Sequence, residues 1–112
     1  MKDDRVYFLH IRDAIDRTSD YTSGGKEAFF ADRKTQDAVV RNLEVIGEAV
    51  KHVSAGLKAA HPDIPWQRIA GMRDKMIHDY FGVDIEKVWL TAIEDLPPLQ
   101  AEVKKILAEL SS

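Results

Sequence analysis

No cysteine occurs among the 112 residues, which excludes disulfides, thiolate metal sites and thiol nucleophiles. No apolar run approaches the roughly 20 residues that a membrane-spanning helix requires. The opening Met1-Lys2-Asp3-Asp4-Arg5 leads into an amphipathic stretch and not into the apolar core of a signal peptide, so a cytoplasmic protein is expected. Repeats, low-complexity tracts and linkers are lacking, and a single domain over residues 1–112 is the economical division. An excess of positive charge is missing as well. The formal net charge is −3, whereas proteins that coat nucleic acid are usually strongly basic. Chemistry at a single phosphate stays open, because it needs only a local positive site. Metal and phosphate motifs are absent too. The histidines, His10, His52, His61 and His78, include no HExxH pair, and Gly24-Gly25 lacks the lysine pattern of a P-loop. His10, Asp13 and Asp16 share a face of the first predicted helix but read more simply as its solvated edge. No cofactor and no metal are expected.

What is present is helical periodicity. Hydrophobic residues make up 45% and charged residues 31% of the chain, ordinary values for a globular domain long enough to bury well over half of its unfolded surface. No segment alternates with the period of a strand. The first helix is expected from about Asp4 to Ser19, with Val6, Leu9, Ala14 and the row Phe8, Ile11, Ile15 as its apolar positions. Tyr21 to Gly25 reads as a loop. A long second helix runs from about Thr35, or from as early as Lys26, to Ser54. Val39, Leu43, Ile46, Val50 and Val53 form its stripe, and Gly56 helps to end it. His61 to Pro65 is a turn, with Pro65 near the first turn of a third helix from Trp66 to Asp79. Asp84 is the N-cap of a fourth helix, which Pro97-Pro98 ends. A last helix carries Leu99, Val103, Ile106, Leu107 and Leu110. The fold class is therefore all-α, an antiparallel bundle of four to five helices.

One residue breaks the pattern. On a helical wheel with Ile69 at zero, Met72, Met76, Ile77 and Ala70 fall at about 300°, 340°, 80° and 100°, a single apolar face. Arg73, at about 40°, and Tyr80, at about 20°, sit inside it. A guanidinium buried there needs a partner. Either it pairs with an acid such as Glu44 or Glu48, or it waits in a cleft for an anion, which its forked donors suit. His78 falls at about 180°, facing away from Arg73 on a regular helix.

The stretch Met72-Arg73-Asp74-Lys75-Met76-Ile77-His78-Asp79-Tyr80-Phe81-Gly82-Val83-Asp84 resembles the signature of the HepT-like HEPN proteins: Arg, a polar residue, three variable residues, His, one variable residue, Tyr. The segments Arg41 to Ala49 and Tyr7 to Ile15 are similar to other helices of that family, in the expected order. A second pair at the same spacing, Arg5 and His10, lacks the rest of the block: Val6 replaces the polar residue and Arg12 the tyrosine.

The resemblance implies a HEPN-type helical fold and a metal-independent endoribonuclease, the toxin of a toxin–antitoxin pair. Its site would form in a homodimer cleft, with Arg73 and His78 supplied by both protomers and Asp74 in support. It further implies a cognate minimal nucleotidyltransferase as antitoxin, which attaches AMP to Tyr80. RNA brings its own nucleophile, the 2′-hydroxyl. Histidine suits the proton transfers and arginine the developing phosphate charge. The competing expectations are a non-catalytic helical module that regulates a nucleotidyltransferase, and a structural bundle in which Arg73 forms a buried ion pair.

Overall fold

The computed structural model describes residues 3–71 and 84–111. These are helical almost throughout, without a strand among them, as expected. The elements are α1 (Asp4–Tyr21), α2 (Lys26–Ala31), α3 (Arg33–His52), α4 (Ala55–Ala60), α5 (66–71), α6 (Ile85–Leu90), a π-helical turn (Thr91–Asp95) and α7 (Leu96–Ser111). No helix among the described residues is long and apolar enough to cross a membrane.

α1 is the centre of the bundle, and its neighbours run against it. At one end Ser54, just past α3, donates its N–H and hydroxyl to the two oxygens of Asp4, at 2.8 and 2.6 Å. Tyr7 stacks on His52 nearby. α7 is also antiparallel to α1. Arg5 donates to Ser111 at 3.4 Å, and Gln100 donates to Asp16 at 2.9 Å. The two contacts are the same number of residues apart on both helices, about 16 Å of rise, so the register is held at both ends. Between these helices lie Phe8, Ile11 and Ile15 of α1, Val39, Leu43, Ile46 and Val50 of α3, and Leu99, Val103 and Ile106 of α7. Val6, expected among the apolar positions of α1, is instead exposed.

Three local expectations are corrected. The long second helix starts close to Thr35, at Arg33, and the earlier start at Lys26 is what is corrected: α2 is a separate helix, broken from α3 at Asp32. The Asp32 carboxylate caps α3, accepting from the Lys34 N–H at 3.1 Å and the Thr35 hydroxyl at 2.8 Å. Gln36, buried, turns back to donate to the carbonyls of Phe29 and Phe30 at 3.1 and 3.2 Å, at the end of α2, where the Asp32 N–H reaches only the Phe29 carbonyl, at 3.4 Å. Gly25, at φ +93°, starts α2 in a conformation that favours glycine. Next, Ser54 does not end the long helix but caps α4, its hydroxyl accepting from Leu57 N–H at 3.2 Å. Gly56 lies inside α4.

The third correction concerns Pro97-Pro98, which do not end a helix. They sit in the first turn of α7, which runs on directly from the π turn. The π turn makes this possible. Leu96 N–H donates to the Thr91 carbonyl, five residues back, and the widened turn gives the proline rings room beside the preceding backbone.

Candidate functional site

Arg73, Asp74, His78 and Tyr80 all fall within 72–83, outside the described residues. The helices that lead into and out of that segment are described. Upstream, Pro65 precedes α5 as expected, and Ile69 N–H donates to its carbonyl at 3.0 Å. The Trp66 indole N–H donates to the carbonyls of His61 and Lys58 at 3.0 and 3.2 Å, and its ring meets Phe8 edge-on at 6.1 Å. Ile64 and Ile69 are buried beneath. Downstream, Asp84 is the N-cap that the sequence predicts, accepting from Lys87 N–H at 3.2 Å. α6 is anchored by buried Val88, by Trp89 against Phe29 at 5.2 Å and by an ion pair between Lys26 and Glu86 at 3.1 Å. Both flanks of the motif are thus tied to the core by aromatic rings and caps.

A polar groove of about 310 Å³ runs between α1 and α3. Tyr7, His10, Arg41, Glu44, Glu48 and His52 line it. Tyr7 and His52 stack with ring centroids 5.4 Å apart and planes 15° from parallel. His52 Nε2 lies 3.4 Å from Glu48, and Arg41 lies 3.6 Å from Glu44. Glu44 and Glu48, the candidate partners of Arg73, therefore hold Arg41 and His52, while any pairing with Arg73 lies outside the described residues. The groove sets one guanidinium against two carboxylates, so its charge does not favour a track of phosphates. Sequence reading overlooked this groove. The signal was there: positions 41, 44, 48 and 52 repeat at helical spacing beside the apolar stripe of α3.

His10, Asp13 and Asp16 are drawn to different partners. Asp13 is held by Arg12 at 3.0 Å, Asp16 by Gln100, and His10 faces the groove. Among the described residues, no three histidines or acids are grouped so as to hold a metal ion.

This all-helical architecture, with an Arg-Asp-x-x-x-His-x-Tyr string between two anchored helices, matches a family model. Residues 11–106 match the model described as Ribonuclease HepT-like. The chain belongs to that family. It is 46% identical over 101 residues to a probable ribonuclease HepT from Thermococcus cleftensis, covering 89% of this chain and 92% of that protein. A protein provisionally named an RNase, from Caldanaerobacter subterraneus subsp. tengcongensis, is 42% identical over 108 residues, covering 96% of each. A larger Methanocaldococcus jannaschii protein, named a gamma-glutamylcyclotransferase and provisionally an RNase, is 40% identical over 110 residues. That match takes in 97% of this chain and only 50% of the relative. No solved structure matches.

Proposed function

We propose that the chain is a metal-independent endoribonuclease, the toxin of a toxin–antitoxin pair. The observation that carries this reading is the family match over residues 11–106, which contains the whole Arg73 to Tyr80 string unbroken. Ribonuclease names among the relatives, including one 46% identical, support the RNA-acting part.

Two protomers would meet so that each contributes Arg73 and His78 to one cleft. The guanidinium pairs with the scissile phosphate and its developing charge. One imidazole takes the proton of the 2′-hydroxyl as that oxygen attacks phosphorus. The other protonates the departing 5′-oxygen. The products are a 2′,3′-cyclic phosphate and a free 5′-hydroxyl. Asp74 orients Arg73 or the RNA. A nucleotidyltransferase partner would silence the site by transferring AMP from ATP to the Tyr80 hydroxyl, with loss of the phenol proton and release of pyrophosphate; the added phosphate would compete for Arg73 and the adenosine would block RNA.

The test is controlled expression of wild type, Arg73→Ala and His78→Ala in a bacterium lacking the partner gene, with soluble protein verified for each. RNA cleavage by purified protein is then followed in EDTA. Growth arrest by wild type alone, and cyclic-phosphate ends formed without metal, are expected. Harmless wild type, or variants equally toxic, would overturn the reading in favour of a non-catalytic module. AMP transfer to Tyr80→Phe at full stoichiometry would overturn the modification.

A further inference from the structure

Charge also gathers apart from the α1/α3 groove, in a hollow between the start of α5 and the junction of the π turn with α7. It has a volume of about 230 Å³. Its floor is apolar, formed by Ile64, Ile69, Leu96 and Leu99, all buried. Its rim carries four carboxylates, Asp63, Glu94, Asp95 and Glu102, and one guanidinium, Arg68. Arg68 is already spoken for: one of its nitrogens lies 3.1 and 3.0 Å from the two oxygens of Asp95. Glu102 has Lys105 at 3.5 Å. Asp63 and Glu94 make no ion pair among the described residues. With Lys105 counted beside Glu102, the rim holds an excess of two negative charges.

We infer that this hollow is a docking site for a partner polypeptide, and that it receives a segment in which an arginine or lysine stands beside a bulky aliphatic residue. Charge complementarity selects the occupant. An apolar floor under an acidic rim matches a side chain with an apolar stem and a cationic head, and it repels RNA. Size favours a side-chain anchor over a metabolite, because small-molecule pockets usually span about 300–1,000 Å³. The π turn supplies the shape. Its extra residue per turn brings Glu94 and Asp95 to the rim while Leu96 stays in the floor, and π turns recur at functional sites for this kind of re-aiming. The inference is independent of whether the chain cleaves RNA.

The experiment is an NMR titration of the ¹⁵N-labelled full chain with the peptide acetyl-Leu-Arg-Leu-Arg-Leu-amide. Saturable amide shifts confined to 63–69 and 94–102 are expected. The neutral analogue with citrulline for arginine should bind about tenfold more weakly, as should wild-type peptide on the double variant Asp63→Lys/Glu94→Lys. Both substituted residues are exposed, so the fold should survive, and the citrulline comparison uses wild-type protein in any case. Shifts that are absent or scattered, or equal affinity for the citrulline peptide, would overturn the inference. So would spermidine saturating the same amides at a lower concentration than the peptide, which would make the hollow a small-cation site.

Discussion

The approach to the motif rests on one indole. Trp66 is the first residue of α5, half-buried, and its N–H serves two carbonyls, those of Lys58 and His61. Replacing Trp66 by 3-benzothienylalanine keeps the ring shape and exchanges only the N–H for sulfur. Each carbonyl then loses one donor and keeps a backbone one, His61 N–H on Lys58 at 3.2 Å and Ile64 N–H on His61 at 3.3 Å. A net loss of about 1 kcal/mol is expected for a hydrogen bond of this kind, held down because each carbonyl keeps its backbone donor. For a chain of this length the unfolding entropy converts that into a fall of about 4 °C in the melting temperature. Trp66→Ala also removes the edge contact with Phe8 and most of the buried ring, and should cost about 3 kcal/mol, near 12 °C. Thermal unfolding followed by circular dichroism at 222 nm reads both. If the sulfur analogue melts within about 1 °C of wild type while Trp66→Ala falls as expected, the indole acts by packing alone, and the account of its donor is wrong.

Gln36→Leu should destabilise by about 1–3 kcal/mol, because the Phe30 carbonyl loses its side-chain donor and the Phe29 carbonyl keeps only the long bond from Asp32 N–H, 3.4 Å. In urea the midpoint should fall by close to 1 M, and a shift too small to measure would show that water replaces the amide. Asp32 has its pKa lowered, chiefly by the hydrogen bond from the Thr35 hydroxyl, with the Lys34 and Thr35 N–H groups adding to it. A depressed folded-state pKa stabilises the fold above the unfolded value of 3.8 and loses that contribution as pH falls through the lower folded value. Wild type should therefore outlast Asp32→Ala in urea at pH 6, with the gap closing toward pH 2. A gap that widened in acid would contradict the cap.

How legible these features were follows from their range. α1 and α3 are readable because their burial follows the 3.6-residue period: Phe8, Ile11 and Ile15, and Val39, Leu43, Ile46 and Val50, are all buried. The break at Asp32 was hidden because both flanking segments are helical by composition. What separates them is a cap and a glutamine reaching back seven residues. α4 escaped because it buries none of its residues and so has no stripe to find. Pro97-Pro98 misled because the proline rule is local, whereas the π turn that accommodates them depends on residues upstream. At the site, the motif string reads plainly, yet a regular wheel sets Arg73 and His78 on different faces, and the helix period alone cannot unite them. The α1/α3 groove needed the antiparallel register, which no single helix encodes.

The same register bears on the puzzle of an acidic chain proposed to act on RNA. A net charge of −3 suggests repulsion only if the charge is spread evenly. It is not. With Lys105 beside Glu102 counted, the hollow at the α5–π–α7 junction carries an excess of two negative charges by itself. α5 has Arg68 on the rim of this hollow, five positions before Arg73, and Ile69 in its floor. α5 therefore leads from an acidic surface, which disfavours RNA and suits a basic polypeptide, directly into the segment proposed to hold the phosphate. Interactions between exposed charges fade beyond roughly 8 Å at physiological salt. Charge at a site is therefore set by its near neighbours, and the sum over the whole chain says little about it.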